Sequence, residues 1–239
     1  MALRSIKFIF FCLLFISPLG AMTTSVIVPC YYKHFQYLEE LLHCLSEQTQ
    51  LPNEVVVSLS EAHRVSKDAI KKLRQAHYPF TLKLLTTNKQ LFAGENRNQA
   101  CRHATGDIFI CQDADDIPHP QRIEIITYFF NKHDIPLLLH KWVHCKNRQH
   151  EAWRWYKKRK IPLHILRTWA EHDKYQCVHS GNCALKRSTF KKVQWTNMPR
   201  GQDTQFNERV MQVFQTTMII DAGLIAYDSP ETNNIHHPP

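Results

Sequence analysis

The chain has 239 residues, 44% of them hydrophobic and 21% charged, with only 6 Gly and 12 Pro. That composition excludes collagen-like and low-complexity chains, and the length lets one large domain bury a full core without metal or disulfide staples. A formal charge of +9 admits nucleic acid, an anionic membrane or an acidic substrate, so its distribution has to decide among them.

In chain order, residues 1–21 come first. Arg4 and Lys7 precede an apolar run from Phe8 to Ile16, then Ser17, Pro18, Leu19, Gly20 and Ala21. This is the layout of a secretory signal, and the run is short for a membrane span. Three readings stand: a cleaved signal, an uncleaved anchor, or a segment upstream of a working start at Met22. They leave the location open between cytoplasmic, membrane-associated and, with cleavage, secreted. Eight cysteines without a C-x-x-C pair read mostly as buried thiols, which favours a reducing compartment.

Ser25 to Val28 is a β-branched run, and Leu38, Leu41, Leu42 and Leu45 share a helical face, giving strand, loop, helix. Val55 to Leu59 predicts a second strand, Ser66 to Gln75 a second helix, and Phe80 to Leu85 a third strand. This is a βαβαβ unit, hence an α/β fold whose parallel sheet is covered on both faces. Asn96 to Ala104 predicts a helix, Asp107 to Gln112 a strand, and Gln121 to Lys132 a helix starting after Pro120. From Pro136 the alternation weakens. Cys177 to Leu185 reads as a strand, Asp203 to Val213 as a helix, and Thr216 to Tyr227 as one or two strands. The expected boundaries are one domain over residues 22–231, with a first half at 22–135 and a second at 136–231. A polar tail at 232–239 follows, read as frayed, with His236-His237 inside it.

The strongest local signal is Gly106-Asp107-Ile108-Phe109-Ile110-Cys111-Gln112-Asp113-Ala114-Asp115-Asp116, an apolar strand that ends in three carboxylates. Ligands of open α/β sheets bind at strand C-termini. Acids crowded there repel one another unless a cation or a basic partner is present, and hard oxygen donors suit Mg2+ or Mn2+. From these letters alone, an acidic turn capping the next helix reads as well.

Taken together, Ser25-Val26-Ile27-Val28-Pro29-Cys30-Tyr31, then Gly94-x-x-Arg97-Asn98, then Ala104-x-Gly106-Asp107 into Asp113-Ala114-Asp115-Asp116 resemble the family 2 glycosyltransferases of the GT-A fold. The ordered blocks run from about residue 24 to 128. The resemblance implies a mixed, mainly parallel central sheet and a metal-dependent, inverting transfer of sugar from a nucleotide-sugar donor to an acceptor hydroxyl. By it, Pro29 and Tyr31 lie beside the base and ribose, and Arg97 lies near the diphosphate. Asp113 faces the ribose or the metal shell, and Asp115 holds Mn2+ or Mg2+. A UDP-sugar is the expected donor, and the acceptor is a glycan, a lipid-linked molecule or a protein.

One block departs from the family. Where it carries D-D-x-S, this chain has Val57-Ser58-Leu59-Ser60-Glu61-Ala62, so Ser60 or Glu61 is the candidate base contact. Later, Arg200-Gly201-Gln202-Asp203-Thr204-Gln205 is similar to the family's G-E-D-x-[ED] and retains Asp203, the implied general base. Read alone, Asp203 is an N-cap or first-turn aspartate favourable to the helix dipole, and it reads as the base only in register with the D-x-D. His179-Ser180-Gly181-Asn182 resembles the small-residue segment on the acceptor side, and a plain strand with a turn fits it too.

The charge is concentrated. Residues 141–160 hold eight Lys and Arg against one Glu, interleaved with Trp142, Trp153, Trp155 and Tyr156, while Arg4 and Lys7 supply two further charges and the remainder balances. Such a window suits an anionic membrane surface or an acidic acceptor, and equally a solvated helix face. Its confinement argues against general wrapping of nucleic acid. Two rivals share the motifs: a non-catalytic nucleotide-sugar-binding protein on the same fold, and a nucleic-acid binder using residues 141–160.

Overall fold

The computed structural model describes residues 22–145, 160–169 and 179–228. The segment 1–21, most of the basic window, Cys177 and the tail with His236-His237 lie outside the described residues. Strands β1 (Thr24–Tyr31), β2 (Glu54–Ser60), β3 (Thr81–Thr86) and β4 (Ile108–Cys111) pair in parallel in the order β3-β2-β1-β4. The crossovers between them are helices α1 (Leu38–Ser46), α2 (Lys67–Gln75) and α3 (Ala93–His103). A short β5 (Ile117–Pro118) precedes α4 (Arg122–Lys132). The second half adds β6 (Leu137–Cys145), β7 (Thr168–Trp169), β8 (Cys183–Lys186), α5 (Arg187–Lys192), α6 (Gln202–Phe214) and β9 (Met218–Asp228). The nine strands among the described residues form one sheet, ordered β3-β2-β1-β4-β8-β6-β9-β5 with β7 on β9. β8 runs antiparallel between β4 and β6, and β6 and β9 are parallel, so the sheet is mixed.

Strand residues alternate between two cores, as the pleat requires. Val26, Val28, Val55, Val57, Ile108 and Ile110 face α1, α2 and α4 on one side. Ile27, Val56, Phe109, Leu137, Leu139 and Cys183 face α3, α5 and α6 on the other. Burying both faces explains the unbroken apolar runs, each such side chain contributing roughly 1.5–3 kcal/mol relative to exposure. The five described cysteines with resolved side chains, Cys30, Cys44, Cys101, Cys111 and Cys183, are free and buried.

The second half departs most from the sequence reading. β6 stands where the alternation fades, because its first residues are buried on both faces between β8 and β9. Among the described residues of the strand expected from Cys177, Cys183–Lys186 is extended and Ser180–Asn182 forms a 3₁₀ turn. α3 starts at Ala93, three residues before Asn96.

Candidate functional site

β4 delivers its acids to the C-terminal edge of the sheet, and three neighbouring structures hold them there. Gln112 donates from Nε2 to the carbonyls of Asp113 and Asp116, both at 3.0 Å, closing the acidic turn. Behind it lies the fully buried Arg122, at the start of α4. Its Nη2 donates to the Cys111 and Gly181 carbonyls at 2.7 and 2.9 Å, Nη1 to Gln112 Oε1 at 3.1 Å, and Nε to His140 Nε2 at 3.0 Å. His140 therefore carries its proton on Nδ1, which faces the Lys141 carbonyl at 2.8 Å. Burial pushes Arg122 down to about 10, and burial with Arg122 alongside holds His140 neutral, well below its ordinary value. At Gly181 a Cβ would lie 2.8 Å from Asp113 Oδ2, so a larger residue there would push that carboxylate aside.

Arg97 forms the centre of the site. It projects from α3, is 3% exposed, and its Nη2 donates to Asp113 Oδ1 at 2.5 Å while Nη1 stands 3.6 Å from Asp203 Oδ1. Burial works to lower its pKa, but Asp113 and then Asp203 more than reverse that, so the guanidinium stays charged. Asp203 sits in the first turn of α6, and Gln202 beside it accepts from the Gly94 N–H at 2.8 Å, tying α6 to α3. Asn98 reinforces the junction: it donates to the Trp195 carbonyl at 2.8 Å and accepts from the Trp195 N–H at 3.0 Å. Trp195 stacks on Phe206 at 3.9 Å and donates its indole N–H to Ser180 Oγ at 2.8 Å. Residues far apart in the chain thus meet at one point.

The remaining candidates occupy the β1 and β2 ends. Asp115 faces His34 Nδ1 at 3.5 Å. Tyr31, at the end of β1, lies edge-on to Tyr32 at 4.6 Å and beside Glu61. Burial first, then Tyr32 and Glu61, push its hydroxyl up to about 12, so it remains a donor. Glu61 has left-handed backbone (φ 51) and pairs with Arg64 Nε at 3.3 Å. Arg64 also donates to the Tyr32 hydroxyl at 2.6 Å. Ser60 and Pro29 are buried within their strands, Ser60 turning its hydroxyl to the Cys30 carbonyl and Pro29 standing beside Ser58. Of the four candidates at this edge, Tyr31 and Glu61 are brought together. Of the basic window, Lys141 pairs with Asp221 at 2.7 Å and Lys160 is exposed.

Asp113 and Asp115, with side chains 29% and 13% exposed, offer hard oxygens at one strand end. Among the described residues no group of three or more His, Cys, Asp or Glu side chains is arranged as a cage for a metal. Two carboxylates, with the other positions left to water and phosphate oxygens, suit an Mg2+-like ion. His34, Gln112, Arg122 and His140 surround this strand end, and the sequence reading assigns a role to none of them. Arg122 reads in sequence as an ordinary charged residue of a helix first turn, and no local signal marks it as buried. Among the described residues no helix is long and apolar enough to cross a membrane.

Residues 25–194 match glycosyl transferase family 2. An uncharacterized glycosyltransferase of Methanocaldococcus jannaschii is 25% identical over 213 residues, which span 88% of this chain and 72% of that protein. Residues 1–349 of S. aureus TarS in complex with UDP-GlcNAc superpose with a TM-score of 0.64 at 19% identity, over 87% of this chain and 59% of that one. The mannosyltransferase PcManGT of Pyrobaculum calidifontis, in complex with GDP-Man and Mn2+, superposes with a TM-score of 0.63 at 19% identity, over 88% of this chain and 58% of that one. The chain thus spans about three-fifths of the length of these two solved structures.

Proposed function

We propose that this chain, which belongs to glycosyl transferase family 2 and has the GT-A fold, moves a sugar from a nucleoside-diphosphate donor to an acceptor hydroxyl with inversion, using a divalent cation. The observation that carries the reading is the Arg97 bridge, since one buried guanidinium holds an acid of the strand-end motif and the candidate base in a common site.

In this reading Asp113 and Asp115 hold the cation, and Tyr31 and Glu61 line the base and ribose side. The cation, when bound, supplies positive charge to the departing diphosphate. Asp203 takes the proton of the acceptor hydroxyl as that oxygen bonds to the anomeric carbon. The bond from that carbon to the diphosphate oxygen breaks on the opposite face, and the electron pair leaves with the nucleotide. Arg97 and Gln202 fix where Asp203 stands. Arg122 fixes the strand end and the turn at Gly181, so it positions Asp113 without touching substrate. TarS with UDP-GlcNAc and PcManGT with GDP-Man and Mn2+ support a nucleotide-sugar donor. UDP is our first choice of nucleotide, and GDP is tested beside it.

Donor hydrolysis and transfer are measured with UDP- and GDP-sugars and Mn2+ for the wild type, Asp115→Ala and Asp203→Asn. The proposal requires turnover in the wild type and its loss in both variants. Equal turnover in all three proteins contradicts it.

A further inference from the structure

β6 and β9 run parallel, but their register slips twice, between His140 and Lys141 and again between Lys141 and Trp142. Such irregularities re-aim the side chains that follow them. Beyond the slips Trp142 pairs with Ile225 and His144 with Tyr227, which places Trp142 and Tyr227 on one face of the sheet. Gly223 permits the approach, because a Cβ there would lie 2.7 Å from Val143 Cγ1 and 3.3 Å from the Trp142 carbonyl carbon. On that face the His179 ring stacks on Tyr227 at 6.2 Å and 13°, and Trp142 meets His179 edge-on at 5.7 Å. His179 Nδ1 is 3.9 Å from Asp203 Oδ2, and its side chain is 59% exposed. His179, the most exposed of the three rings, therefore joins the other two and stands next to the candidate base.

We propose that Trp142, His179 and Tyr227 form an acceptor subsite for a pyranose ring. The inference rests on the glycosyl-transfer reading and narrows its acceptor to carbohydrate. A pyranose has an apolar C–H face and a rim of hydroxyls. Laid on the exposed His179 ring, the C–H face is desolvated while the rim meets polar edges, here the imidazole nitrogens and the Asp203 carboxylate. An alkyl chain would use the rings and leave the carboxylate idle. A serine or threonine side chain would use the carboxylate and leave the rings idle. Of the three, a sugar engages both.

The test is saturation-transfer NMR on the whole protein with methyl glycosides of glucose, galactose, mannose and N-acetylglucosamine. Octanol and N-acetylserine methylamide are the non-carbohydrate probes. In the wild type, ring C–H protons of at least one glycoside are expected to be saturated. Binding is expected to weaken by about tenfold in Trp142→Ala and in His179→Ala, the scale of one lost aromatic contact. His179 is largely exposed, so its variant keeps the test valid if Trp142→Ala lowers the melting temperature. Three results overturn the proposal: no glycoside is saturated, the signal survives in both variants, or a non-carbohydrate probe is saturated as strongly as the sugars. Because this readout needs no turnover, failure to transfer from any donor counts against the glycosyl-transfer reading separately.

Discussion

Glu54 and Arg97 are buried charges at opposite ends of the same parallel strands. At the N-terminal end, Glu54 is 4% exposed, and its Oε1 accepts from Ser25 Oγ at 2.6 Å and from the N–H and hydroxyl of Thr105 at 2.5 and 3.0 Å. Lys83 Nζ covers Oε2 at 2.6 Å. At the C-terminal end Arg97 is paired with Asp113, yet its Nε and Nη1, and Asp203 Oδ1, are buried without a hydrogen-bond partner among the described residues. Most buried polar groups find partners, as Glu54 does. In the proposed site, Arg97 and Asp203 are the charged groups that donor and acceptor would meet. The first cluster ties β1, β2, β3 and the approach to β4 together; the second gathers α3, the end of β4 and α6 around one guanidinium.

This contrast is broken or sharpened first by Asp203→Asn, the largest expected effect. Turnover should fall by about 10^3-fold, or ~4 kcal/mol of barrier. Its melting temperature should stay within about 2 °C of the wild type or rise, because Arg97 keeps Asp113. A large loss of stability would put Asp203 with the structural groups instead. Next comes Glu54→Gln, expected to cost about 3 kcal/mol in denaturant unfolding, since a buried, fully donated carboxylate leaves Lys83 without its counter-charge. Turnover measured below the melting range should persist, and a variant as stable as the wild type would remove the contrast.

A pH titration probes the same group without mutation. Burial alone would raise the Glu54 pKa, but Lys83, Ser25 and Thr105 bring it down to about 2. The folded value lies below the unfolded one, so the stabilisation is complete above about pH 4.5 and is lost as pH falls towards about 2, on the order of 2–3 kcal/mol in all. In Glu54→Gln that part of the acid-side slope should disappear. The smallest effect is expected at the strut behind the acids. Arg122→Lys keeps the charge but not the planar fork that reaches Cys111, Gly181 and Gln112 together, and should lower stability by about 2 kcal/mol. An equally stable Arg122→Lys would show that charge alone is needed there.

Much of the N-terminal half was readable because its strands and helices bury regular faces. Ser25–Val28, Val55–Leu59 and Phe80–Leu85 fall within or within one residue of β1, β2 and β3. Asp113, Asp115, Arg97 and Asp203 were singled out in sequence, and Arg97, Asp113 and Asp203 meet in space through a contact that no spacing rule supplies. β6 escaped because Leu137–Leu139 is buried on both sides and the register then slips, which leaves no period of two to detect. α5 escaped because six residues, with only Thr189 and Phe190 buried, are too few to display a helical period. Arg122 and His140 were invisible because their roles depend on which strand end lies beside them.

Thermal unfolding of the wild type and Asp115→Ala with UDP, GDP and other nucleoside diphosphates, with Mn2+ or with EDTA, tests the metal-assisted nucleotide site most directly. We expect one nucleotide to stabilise the wild type only with Mn2+, by about 2.7 kcal/mol at a hundredfold excess over Kd, and to have no effect on Asp115→Ala. Stabilisation that persists in EDTA or in Asp115→Ala, or none by any nucleotide, would contradict the account.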